Sequence, residues 1–158
     1  GDPDELDASA MYRALCGMRA DVPTVLGIVK LLKERGEILG NLRDTRCFAQ
    51  YRKGFGLALT LPPQEWAGEA DLIYELYRLS ELTETEMIRL TEGMEAAGRS
   101  AYGEDVLYDL INAYPTPENR KRGKALYDRL LSLDDEALAQ GGLPRDEVLE
   151  GKAALEKG

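Results

Sequence analysis

Apolar residues recur along this chain at intervals of three and four, the spacing of one face of an α-helix. Leu6, Ala10, Met11, Ala14, Leu15 and Met18 form the first such stripe. Asp2, Pro3, Asp4 and Glu5 precede it, and a proline with early acids suits a helix start. Asp21-Val22-Pro23 closes that helix and opens a second one. There Val22, Val25, Leu26, Val29 and Leu32 keep the helical interval. Ile28 and Leu31 widen the stripe, so this helix is expected to be central, with Gly36 as its stop. Residues 37–61 admit two readings. Asn41 is a fitting cap for a helix from Leu42 to Lys53. Alternatively, Arg46–Tyr51 and Phe55–Leu61 pair as strands around Arg52-Lys53-Gly54. Phe55, Leu57, Leu59 and Leu61 alternate with small residues, a period of two. The preferred reading is helix for the first half and an extended segment for the second.

Beyond Pro62-Pro63 the pattern is helical nearly to the end. Leu72, Ile73, Leu76 and Leu79 predict the inward face of a helix over Glu65–Leu79. Thr83 and Glu86 have capping-box spacing, and Gly98 follows as a stop. Val106, Leu107, Leu110 and Ile111 predict a helix from Glu104 to Ala113. Thr116 with Pro117 and Glu118 starts another that reaches Leu131. Asp134 caps a short turn ending at Gly141-Gly142, and Pro144 opens the last helix. The class is therefore all-α, a multi-helix bundle or an irregular helical-hairpin array of roughly six to eight helices. At most one short β-hairpin or extended segment is expected, near residues 46–61. One helical domain is expected over residues 1–158, with Pro62-Pro63 as a candidate subdivision.

Two segments resemble each other. Asp71-Leu72-Ile73-Tyr74-Glu75-Leu76 aligns with Asp105-Val106-Leu107-Tyr108-Asp109-Leu110 at an offset of 34 residues. A threonine cap follows each, Thr83 and Thr116, and Leu126-Tyr127-Asp128 is a fainter echo. The offset has the length of a tetratricopeptide repeat, but the small and aromatic positions of its second helix are absent. Amphipathic helices built from Leu, Tyr and acids look alike without common repeat structure, so no family is assigned on this ground.

Composition narrows the chemistry. With 158 residues, 44% hydrophobic and 31% charged, the chain is long enough to bury a core without a metal or disulfide staple. The net charge of -9 opposes nucleic acid and anionic membranes on average. No apolar run approaches the roughly 20 residues of a membrane span. There is no histidine, which removes the commonest general base, the histidine-dependent triads and imidazole metal ligands together. The chain opens Gly1-Asp2-Pro3, compatible with a trimmed leader. Its two cysteines, Cys16 and Cys47, do not make a disulfide framework, and a cytoplasmic location is expected.

Candidate sites follow from what remains. Trp66, Tyr74 and Tyr108 are the candidate partner surface, because a tyrosine or tryptophan joins apolar area to a polar tip. The plainer role for the tyrosine-rich second half is packing at the edge of the core. Arg43, Arg46, Arg52 and Lys53, interleaved with Phe48, Tyr51 and Phe55, are a candidate basic patch. A second basic run, Asn119-Arg120-Lys121-Arg122-Gly123-Lys124, reads as a solvated face paired with the surplus acids. The acids Glu81, Glu84, Glu86, Glu92, Glu95, Glu104, Asp105 and Asp109 are mostly solvated helix surface, although carboxylates alone suffice for magnesium. No catalytic residue, metal ligand or cofactor is assigned.

The function expected from these residues is a non-catalytic helical interaction or regulatory module whose partner is another protein or a second copy. A carboxylate- or thiol-dependent enzyme and a nucleic-acid-binding regulator using Arg43 to Lys53 are the alternatives. Cys47 lies beside Arg43 and Arg46, which favour a thiolate, but no histidine or nearby second cysteine completes a reactive pair. Cys47→Ser is thus expected to change stability rather than any activity. A thiol titration of the native protein checks this, and ionisation of Cys47 near neutral pH contradicts it.

Overall fold

The structure, a computed structural model, describes Gly56, Leu59, Thr60 and residues 62–157. The described residues are 78% helical, with six α-helices and no strand, so the protein is all-α. The helices are α1 (Ala70–Leu79), α2 (Glu84–Ala96), α3 (Ser100–Ala113), α4 (Pro117–Leu131), α5 (Asp135–Gln140) and α6 (Arg145–Lys157). The chain divides into two compact units, Gly1–Glu81 and Leu82–Gly158, and the Pro62-Pro63 pair lies inside the first. The extended reading of Phe55–Leu61 is corrected where residues are described: Gly56 is helical and Leu59-Thr60 form a turn. A lone strand leaves its backbone groups unpaired, whereas helix and turn satisfy them locally, so a short alternation does not by itself make a strand.

In the first unit, Pro63 opens a 3₁₀ turn over Pro63–Glu65 and a second follows over Ala67–Glu69. The helix expected from Glu65 therefore starts as an α-helix only at Ala70, since Trp66 between the turns has non-helical angles. Ala70, Ile73, Leu76 and Tyr77 form the buried stripe of α1, while Tyr74 is half-buried with its ring 6.1 Å from that of Tyr77. The side chains of Leu72 and Leu79 lie outside the description. Ser80 ends the helix by donating its hydroxyl to the Leu76 carbonyl at 3.0 Å.

In the second unit the local start signals act as their chemistry dictates. Thr83 and Glu86 form the full capping box: the Glu86 amide donates to the Thr83 hydroxyl and the Thr83 amide to the Glu86 carboxylate. Thr116 caps α4 by accepting from the Asn119 amide, and Asp134 caps α5 by accepting from the Ala137 amide. Gly98 turns the chain out of α2 with a φ of 75°, a conformation that costs glycine little. The start of α3 falls at Ser100, four residues before its expected place. It has no side-chain cap; instead the Ala101 amide donates to the carbonyl of Gly141, in the turn after α5.

Helix α2 pairs with α3, α4 pairs with α6, and α3 joins the two pairs through α4. Buried Met87, Leu90, Met94, Val106, Leu107, Leu110, Leu126, Leu130 and Val148 fill the interior. The α4–α6 pair is close because glycines stand at the contact. A Cβ on Gly123 would lie 2.7 Å from a Leu155 methyl, and one on Gly151 would lie 2.5 Å from the Tyr127 hydroxyl. Arginines clip both ends of this antiparallel pair. Arg120, at the start of α4, donates to the Leu155 carbonyl near the end of α6 at 2.8 Å. Arg145, at the start of α6, donates to the Leu131 carbonyl at the end of α4 and to the Leu133 carbonyl just beyond it. These bonds fill carbonyls that a helix end leaves without an intrahelical donor.

The two similar segments are both helical, and each precedes a helix with a threonine cap. Leu76 and Leu110 are buried at 1% and 0% exposure, whereas Tyr108 is 39% exposed. Tyr127, the fainter echo, is instead buried. Leu76→Ala and Leu110→Ala are each expected to cost about 2–5 kcal/mol, the range for emptying a core leucine site. Tyr74→Ala and Tyr108→Ala are expected to cost less, and urea melts of the four variants check the order.

Candidate functional site

A groove lies in the second unit between the walls of α2 and α4, with α3 as its floor. Its cavity of about 120 Å³ rests on Leu107, Leu110 and Leu126, all buried. Ile88 and Thr91 face it from α2 and Ala125 from α4. Thr91 is held by donating its hydroxyl to the Met87 carbonyl at 2.9 Å. The walls differ in charge. Helix α2 carries four carboxylates and one arginine, and α4 carries five cations and two carboxylates. Glu92 and Glu95 stand on the acidic wall, Arg122 and Arg129 on the basic one. Arg122 and Arg129 are seven residues apart, two helical turns, which puts them on one stripe.

One ion pair spans the walls. Arg129 Nε donates to Glu95 Oε2 and Nη2 to Glu95 Oε1, both at 2.8 Å, a bidentate fork. The hydrogen bonds it donates to Glu95 raise the Arg129 pKa against the smaller opposing effect of burial, so the guanidinium stays charged. With the Arg129 side chain 55% exposed, such a pair stabilises the fold by about 1 kcal/mol at most. Its consequence is geometric. Glu95 and Arg129 also line a second, open hollow of about 490 Å³ toward Gly98 and Leu133, so hollows lie on both sides of the pair.

Arg122 is different. Its Nη1 donates to Asn119 Oδ1 at 3.2 Å, and no carboxylate pairs with it among the described residues. Asn119 is fully buried. Its side-chain amide donates to the Tyr114 carbonyl at 2.9 Å, and its backbone amide to the Thr116 hydroxyl at 3.2 Å. The basic run Asn119–Lys124 thus divides. Arg120 clips α6, Asn119 is structural, and Arg122 faces the groove.

A second polar cluster sits where α3, α4 and α6 meet. The Tyr127 hydroxyl donates to Glu104 Oε2 at 2.8 Å, and Tyr108 hydrogen-bonds to Tyr127 in turn. Burial pushes the Tyr127 hydroxyl well above its usual pKa, and the bonds to Tyr108 and Glu104 act in the same direction. Burial also raises Glu104; the Tyr127 bond opposes this, while Asp105 and Glu147 add to it. Tyr127 is 1% exposed, so the pair ties α3 to α4 rather than presenting a reactive edge.

The candidate residues named from sequence scatter. Trp66 is corrected: it is 2% exposed, with its indole nitrogen buried and unpartnered, so it is an interior residue. The apolar area of a tryptophan serves core and surface alike, and sequence does not distinguish them. Tyr74 is half-buried in the first unit and Tyr108 is exposed on α3 of the second. Arg43, Arg46, Arg52 and Lys53, with Cys16 and Cys47, lie outside the described residues. Among the described residues no three His, Cys, Asp or Glu side chains are grouped to hold a metal ion. No helix among them is long and apolar enough to cross a membrane. The groove itself was missed. Its signals were a cation-rich helix in an acidic chain and the pairing of Glu95 with Arg129 across 34 residues.

These features define an all-α protein whose second unit presents a narrow groove between oppositely charged walls. Residues 30–157 match DUF6483, a family of unknown function, and the chain belongs to that family. No curated protein and no solved structure matches it.

Glu104 gives a pH dependence with a definite sign. Burial disfavours its charged form, so the folded carboxyl keeps its proton above the ordinary glutamate range of about 4.3. The folded state therefore binds more protons than the unfolded state in that window, and Glu104 costs stability as pH rises through it. Glu104→Gln retains an acceptor for Tyr127 and does not titrate. The variant is expected to match the wild type at about pH 4 and exceed it near pH 7, as read from urea melts.

Proposed function

We propose that the chain is a non-catalytic interaction module of the cytoplasm that binds another protein through the groove between α2 and α4. The observation that carries this reading is a cavity floored by buried leucines and set between an acidic and a basic wall. An apolar anchor in a desolvated pocket supplies most of the affinity at such interfaces, and a charged rim supplies register and selectivity. The cavity matches a single side chain in size. An engineered apolar cavity of about 150 Å³ holds benzene, and 120 Å³ is of the order of one leucine or phenyl group. The groove's walls are helices held by caps, clips and core packing, so the site is formed before a partner arrives and little ordering cost opposes binding.

Ala125→Trp tests the reading by filling the cavity from the basic wall. Affinity capture from the source organism with the wild type and the variant is the measurement. A protein retained by the wild type and lost with Ala125→Trp is expected. An unchanged set of captured proteins overturns the groove as the binding site. Ile88→Trp repeats the test from the opposite wall if Ala125→Trp lowers the urea midpoint.

A further inference from the structure

We infer that the occupant of the groove is an internal peptide segment in which a large apolar side chain is closely followed or preceded by a carboxylate. The apolar side chain enters the cavity above Leu107, Leu110 and Leu126, and the carboxylate pairs with Arg122. This rests on the proposed groove and adds what the groove reads.

Arg122 is the group that selects the carboxylate. Four other cations of the second unit are engaged by groups of that unit. Arg129 is forked onto Glu95, Arg145 holds Asp135 and two carbonyls, Arg120 holds Leu155, and Lys152 holds Asp128. Arg122 uses one donor of the five a guanidinium carries, and that one bonds to Asn119. Asn119 is buried and fixed by its bonds to Tyr114 and Thr116, so it holds Arg122 at the cavity's rim with donors left over. A planar fork with free donors beside an apolar pocket matches a single carboxylate with geometric as well as electrostatic specificity.

The facing wall limits the ligand further. Glu92 and Glu95 line the same cavity, and the whole chain carries a net charge of -9. A phosphate chain laid in the groove meets those carboxylates along its length, whereas one carboxylate at Arg122 meets a cation. The segment is taken as internal because a second hollow adjoins the Glu95–Arg129 pair and gives chain beyond the anchor a place to lie.

The test is selection of random dodecapeptides from a display library against the full-length chain, the Arg122→Gln variant and the Ala125→Trp variant. On the wild type, enriched peptides are expected to carry Leu, Ile or Phe with Asp or Glu within two positions. On Arg122→Gln the acidic preference disappears while the apolar preference stays, and wild-type-selected peptides bind about tenfold more weakly. Arg122→Lys recovers part of that loss, because the charge returns without the fork. Apolar-anchored peptides without an acidic preference, or a preference unchanged by Arg122→Gln, overturn this inference and leave the groove standing. Failure to enrich any peptide, or equal binding to Ala125→Trp, overturns the groove and the inference together.

Discussion

The close approach of α4 to α6 is the constraint on which the second unit depends. Gly151 leaves no side chain where the Tyr127 ring lies, so the ring packs directly against α6. An alanine there gains about 1 kcal/mol in helix propensity, but its Cβ would overlap a ring that has no room to turn. Tyr127 then extends its hydroxyl to Glu104, which fixes α4 against α3 as well. Arg129 is two residues further on, about 200° around the helix. Locking Tyr127 inward therefore turns Arg122 and Arg129 outward, onto the groove. The charged wall is a consequence of how tightly the opposite side of the same helix is packed.

The same helix shows how a net charge conceals local character. An excess of acids describes the chain as a whole, yet α4 has more than twice as many cations as carboxylates. Three of its arginines have separate tasks. Arg120 completes a helix end, Arg129 bridges the cavity's two walls, and Arg122 stands at the cavity's rim, bonded to Asn119. Their energies differ accordingly. A half-exposed ion pair contributes little to folding, while a part-buried bond that fills an orphan carbonyl removes the cost of leaving it empty.

Legibility from sequence followed the range of the interactions. The starts of α2, α4 and α5 were readable because Thr83, Thr116 and Asp134 bond to amides three residues away. The start of α3 was not, since its help comes from Gly141. Leu76 and Leu110 were readable as core from their spacing, and both are buried. Trp66 was misread because one large aromatic carries no periodicity of its own. The period-two run at Phe55–Leu61 misled for a related reason, as alternation over so few residues says nothing of a partner strand. Of the groove, the basic run at Asn119–Lys124, the leucines of α3 and the acids Glu92 and Glu95 were visible singly, but not their assembly. That Arg122 faces a cavity while Arg120 does not depends on Leu107, Leu110 and Leu155, none of them local to it.

The bond from Ala101 to the Gly141 carbonyl reaches beyond helix capping. Helical-hairpin arrays are commonly divisible, each hairpin folding on its own terms and touching only its neighbour. Here the first hairpin's second helix is begun by the turn that precedes the second hairpin's last. Gly141 also sits where a side chain would strike Ser100 and the Gly98 carbonyl, so that turn fits only against the finished first hairpin. The second hairpin's turn supplies a missing piece of the first. The second unit is therefore a single modular quantum: homologous recombination, truncation or grafting that cuts between α3 and α4 separates the first hairpin from the piece it lacks.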